Sequence, residues 1–119
     1  MRKLVVICGV ILVASGLVAC GDDGDDSGGS GAPDLTAEQR DDPALVSGET
    51  IYGDQCARCH GAGGQGLNGP SLRGVDENYP DIADQIAVIE DGRPGMPAFA
   101  GRLSAEEIEA VARYEREVL

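Results

Sequence analysis

Residues 55–66 read Gln55-Cys56-Ala57-Arg58-Cys59-His60-Gly61-Ala62-Gly63-Gly64-Gln65-Gly66. The stretch holds two cysteines with two residues between them, the chain's one histidine and four glycines. Two cysteines at this spacing suit a redox disulfide, a zinc site or the covalent attachment of haem. Structural zinc wants four sulfur or nitrogen ligands. No second Cys/His pair follows, so only carboxylate or water would complete a mononuclear zinc site. A thioredoxin-like pair belongs at a helix start inside a βαβ pattern. Here the cysteines close a helical stretch, and no alternating strand pattern precedes them. Cys-x-x-Cys-His is a c-type haem attachment signature. Two sulfurs about one helical turn apart meet the two vinyl groups of one porphyrin, and the adjacent histidine turns a ring nitrogen onto the iron. Covalent attachment also retains a cofactor in a chain too small to enclose it.

The other axial position follows by elimination. With one histidine, bis-histidine ligation within the chain is impossible. Met1 lies in an apparent export signal, which leaves Met96 as the methionine of the remaining chain, 36 residues beyond His60. Pro97 biases Met96 towards extended backbone, and Pro94 fixes its own φ nearby. Such a stiff loop lowers the entropy lost when a weak thioether ligand binds.

The rest of the chain sets the context. Its 119 residues fit one small domain. Arg2 and Lys3 precede an uncharged apolar stretch, Leu4 to Ala19, short of the ~20 apolar residues a membrane span needs. This is the form of a secretory signal. Leu17-Val18-Ala19-Cys20 resembles the bacterial lipobox. That resemblance implies removal of residues 1–19, a diacylglycerol on Cys20 and attachment to the outer face of a bacterial membrane, periplasmic or cell-surface. Residues 20–42 are expected to form a disordered spacer, because Gly, Ser and Asp between Gly21 and Asp34 cannot bury a core. The folded domain is expected over 43–119.

That domain has one phenylalanine, three tyrosines and no tryptophan. A core so poor in aromatics needs a staple, a metal or a cofactor. The segments read as helical. Asp42 caps a helix with Pro43 in its first turn, and Leu45, Gly48 and Tyr52 recur at helical spacing up to Cys56. Asn78, Tyr79 and Pro80 are expected to open a second helix carrying Ile82, Ile86 and Ile89, ended by Gly92. Ser104 and Glu107 form a capping box for a last helix, whose stripe is Ile108, Val111, Ala112 and Leu119 flanked by Tyr114 and Val118.

The chain resembles the class I c-type cytochromes, the short bacterial monohaem ones above all, over essentially all of 43–119. Gly48, Tyr52, Cys56, Cys59 and His60 carry the likeness in the first helix, Val111 and Tyr114 in the last. The resemblance implies an all-α cytochrome c fold, three main helices and loops around one covalent haem c. It implies that the first and last helices cross where the glycine allows close approach. It further implies that the Pro70 carbonyl orients His60, that Leu72 packs on the haem, and that Met96 shares the iron with His60. The implied role is electron transfer, not enzymatic bond chemistry. The alternatives are a haem subunit dedicated to one membrane oxidoreductase complex and a haem-based ligand sensor.

From Pro43 on, thirteen acidic residues face six arginines, a net charge of −7. This argues against nucleic acid and for redox protein partners with a basic docking face. The lysines that often ring the haem edge in the family are absent here. Arg93 and Arg102 are candidates to pair with haem propionates.

Overall fold

The computed structural model describes residues 31–119. The expected signal segment and residues 20–30 of the expected spacer, Cys20 among them, lie outside the described residues. Among the described residues five helical stretches follow in order: α1 (Ala37–Arg40), α2 (43–60), α3 (Val75–Asn78), α4 (Ile82–Asp91) and α5 (Ala105–Glu117). Helix α2 is α-helical over Pro43–Ile51, opens into a π turn over Tyr52–Cys56, and is α-helical again over Ala57–His60. Among the described residues the one β-type pairing is the isolated Arg93–Met96 bridge. The all-α expectation holds, with α2, α4 and α5 as the main helices.

The π turn has a geometric effect. Residues four apart drift by about 40° per step around a helix of 3.6 residues per turn. The wider i→i+5 turn counters that drift. Gly48, Tyr52, Cys56 and His60 are all buried.

Helices α2 and α5 form the centre of the fold. A Cβ on Gly48 would overlap the Ala110 carbonyl oxygen and fall 2.8 Å from Tyr114 Cβ, so glycine is what permits the crossing. Tyr52 and Tyr114 stack there in a tilted pair with centroids 5.4 Å apart. Ile108, Val111 and Ala112 complete the buried face of α5. The caps act as the sequence indicates: Asp42 Oδ1 accepts from Ala44 N at 2.9 Å, and Ser104 and Glu107 exchange the two bonds of a capping box. Asp42 also pairs with Arg113 of α5 at 2.8 Å, which ties the start of α2 to the last helix. That pairing holds the Asp42 carboxyl below its ordinary range.

Two expectations are corrected. Packed structure begins before residue 43: Leu35 is 4 % exposed and joins the core cluster of Leu45, Val111 and Tyr114. Thr36 and Gln39 cap α1 reciprocally, and Gln39 Nε2 donates to the Glu117 carbonyl at 3.1 Å. One apolar side chain and one capping box thus pin residues 35–40, which fall in the stretch expected to be disordered. Helix α4 starts at Asp81, not Asn78. Asp81 Oδ1 accepts from Ala83 N at 2.9 Å, while Asn78 ends the short α3. Pro80 sits before the cap and separates the two helices.

Candidate functional site

The two cysteines and His60 occupy the last turns of α2, at the wall of a cleft of about 730 Å³. Cleft volumes of roughly 300–1,000 Å³ suit organic cofactors. Tyr52 Oη donates to the Gly61 carbonyl at 2.6 Å and holds the chain where it leaves the helix. The glycine loop then folds back under the helix end. Gly66 N donates to the His60 carbonyl at 2.6 Å, and Gly69 N to the Cys59 carbonyl at 2.8 Å. These bonds satisfy carbonyls that a helix C-terminus otherwise leaves without partners. They also bring Pro70 beside the histidine.

His60 is 7 % exposed, and its Nδ1 lies 2.8 Å from the Pro70 carbonyl oxygen. A carbonyl can only accept, so the ring proton sits on Nδ1. Nε2 is left with its lone pair, the state in which imidazole binds a metal. A Cβ on Gly69 would stand 2.9 Å from His60 Cε1, so the loop forms a close backing for the ring.

Met96 reaches the same cleft from the loop after α4. Arg93 and Met96 exchange backbone bonds at 3.0 and 2.7 Å around Pro94 and Gly95. Proline at the second place and a glycine with φ +87° at the third are the signature of a type II turn. Gly92, at φ +70°, has Met96 O and Ala98 N where a Cβ would go, so the entry to this turn tolerates no side chain. Phe99 N donates to the Ile89 carbonyl at 3.1 Å and pins the far end of the loop to α4.

Cys56, Cys59, His60, Pro70, Leu72 and Met96 therefore all line one cleft. Cys56 and Cys59 are not joined to each other. Burial pushes the Cys56 thiol up to about 12, which disfavours the thiolate a redox pair needs. Among the described residues no group of three or more His, Cys, Asp and Glu side chains is placed to hold a metal ion, so the donor set does not suit a zinc cage. A histidine with a free Nε2, a thioether, two thiols one turn apart and a large apolar-lined cleft do fit haem.

Of the two candidate arginines, Arg93 lines the cleft, its guanidinium 5.7 Å from the centre of the Tyr79 ring. Arg102 lies over Phe99 at 5.8 Å and is not part of the cleft wall. Besides His60 the wall holds two buried polar residues that the sequence patterns above do not single out: Gln85 of α4 and Glu115 of α5. The signal was present. Gln85 lies three residues after Ile82 and four before Ile89, and Glu115 lies four after Val111, so both fall on the buried stripes.

Fold and cleft together define a small helical haem protein of the electron-carrier class. The family model described as cytochrome c oxidase, cbb3-type, subunit III matches residues 43–114. The chain belongs to the cytochrome c family through this domain, and its cofactor is one covalently attached haem c. It is 38 % identical over 85 residues to cytochrome c-550 of Bacillus subtilis, covering 71 % of this chain and 67 % of that one. It is 40 % identical over 111 residues to the cbb3-type cytochrome c oxidase subunit FixP of Bradyrhizobium diazoefficiens, covering 78 % of this chain but 38 % of that protein. Among solved structures, cytochrome cL of Hyphomicrobium denitrificans superposes with a TM-score of 0.56 at 22 % identity, over 69 % of this chain and 62 % of the other, and so shares the fold.

Proposed function

We propose that this chain is a membrane-tethered, extracytoplasmic carrier of single electrons. Cys56 and Cys59 form the thioethers, and His60 and Met96 bind the iron. Haem supplies an iron that cycles between ferrous and ferric states, with a potential raised by His/Met ligation. The chain's own part is to orient and to shield. Pro70 O fixes the tautomer of His60. The Arg93–Met96 turn presents the thioether. Leu72 and Phe99 contribute apolar wall. The observation that carries the reading is the His60 Nδ1–Pro70 bond, which leaves Nε2 free in a cleft that Met96 also lines.

Lipid on Cys20 would hold the domain at the outer face of a bacterial membrane, and the acidic surface favours redox partners with a basic docking face. The test is the visible spectrum of the protein made with haem-maturation machinery. Haem should stay attached in denaturant, and the oxidised form should show the iron–methionine band. Met96→Ala should abolish that band and keep the haem. A band that survives the change would refute the ligand assignment.

The match to an oxidase subunit family favours a second reading, a haem subunit dedicated to one oxidoreductase complex. Stoichiometric co-purification that survives high salt would select it over the free carrier.

A further inference from the structure

Glu115 and Gln85 face each other in the cleft wall and serve no part of haem attachment. Both are almost wholly buried, at 5 % and 3 % exposure. Gln85 Nε2 donates to Glu115 Oε2 at 2.7 Å. The amide is oriented from its other end: Arg116 Nη1 donates to Gln85 Oε1 at 3.0 Å. Arg116 is in turn held by the carbonyls of Tyr79, at 2.8 Å, and Pro80, at 3.2 Å. A flipped amide would set its NH2 against the guanidinium, so Gln85 always offers an N–H to Glu115. The carboxyl thus has one neutral donor and little water, a poor setting for a carboxylate. Leucine or isoleucine would continue the stripe of α5 at no such cost.

We propose that Glu115 is a redox-linked proton site, taking one proton from water when the haem gains an electron and releasing it when the electron leaves. The proposal rests on the haem reading above. The bookkeeping balances: a one-electron donor protein supplies the electron, bulk water supplies the proton, and the one bond formed is the O–H of the Glu115 carboxyl. The net charge of the buried region is then the same before and after.

The groups that face Glu115 do not compete with it. From α2, the Tyr52 hydroxyl is committed to the Gly61 carbonyl and burial raises it far above neutrality. Cys56 gives up its proton on haem attachment. From α4, Gln85 does not ionise. The charged neighbours are the guanidinium of Arg116 on α5, held by Gln85 and two backbone carbonyls, and those of Arg58 and Arg93 in the cleft wall. His60 Nδ1 is committed to the Pro70 carbonyl. Burial lifts the Glu115 carboxyl itself to about 7, within reach of physiological change. Ferric iron carries the extra positive charge and favours the carboxylate; ferrous iron favours the acid. The reduction potential therefore falls as pH rises through neutrality.

The test is a spectroelectrochemical titration of the holoprotein on both sides of neutral pH. The wild type should show at least a tenfold shift in its redox equilibrium across that window, which is 59 mV for one electron. Glu115→Gln should be flat there, and Gln85→Leu, which removes the donor, should move the window to higher pH. Reduction of the wild type should also raise a protonated-carboxyl band in the infrared difference spectrum. A wild-type potential independent of pH, no such band, or full pH dependence in Glu115→Gln would overturn the proposal. The haem reading would still stand if the covalent haem and the Met96-dependent band were present. Their absence would sink both.

Discussion

Gly48→Ala tests the helix crossing on which the site is built. The new methyl would overlap the Ala110 carbonyl oxygen and come within 2.8 Å of Tyr114 Cβ. Both obstacles belong to the backbone or its first side-chain atom, so no rotamer change relieves them and α2 must move off α5. Overpacking of this kind costs about 1–3 kcal/mol, and a backbone obstacle puts it at the upper end. Replacing a mid-helix glycine by alanine returns about 1 kcal/mol of helix propensity. The net expectation is a loss of about 2 kcal/mol, or roughly 10 °C in Tm for a domain of this size. Gly53→Ala is the control, because a Cβ there meets nothing within 4 Å. It should be neutral or stabilising by up to about 1 kcal/mol. Guanidinium unfolding of the two holoproteins, followed by helical circular dichroism and by haem absorbance, measures both. Equal or greater stability in Gly48→Ala would show that the close crossing is not what the glycine is for.

Leu35→Ala should destabilise the domain by about 2–3 kcal/mol, at the lower end for a buried leucine; no change in the unfolding midpoint would mean that the segment before Pro43 does not pack. The buried carboxyl gives a pH signature in stability. Glu115 titrates at about 7 in the folded chain against 4.5 as the ordinary value. The folded state holds a proton between these values that the unfolded state has lost, so stability falls as pH rises from 4.5 towards 7. At 1.36 kcal/mol per unit the loss amounts to about 3 kcal/mol. Glu115→Gln should lack this slope, and identical stability profiles for the two proteins would contradict the burial of a titrating carboxyl.

Much of the site was legible because its chemistry is local. The Cys56-Ala57-Arg58-Cys59-His60 run carries its own spacing, and Met96 stands alone between two prolines. The caps at Asp42 and Ser104 were legible for the same reason, since each acts within three residues. What escaped depends on contacts between distant segments. Leu35 is one apolar residue beside an acidic, glycine-rich stretch, and only its packing against α2 and α5 shows that the core takes in residues before Pro43. Glu115 and Gln85 sit thirty residues apart; each falls on a buried stripe, but only the packing of the two helices joins them in one hydrogen bond. Asn78 and Asp81 both suit a cap; the turn around Pro80 decides between them.

The turn that carries Met96 has a consequence for speed. Its residues are held by paired backbone bonds, a proline and two glycines with positive φ, and Phe99 fastens it to α4. When a charge arrives at or leaves a centre, the surrounding atoms must shift to their new equilibrium places, and that shift sets the barrier. If Met96 holds the iron as proposed, a thioether on a loop with almost nowhere to go would let the ligand position change little between the two charge states. Fast exchange would then be a property of what the chain prevents from moving.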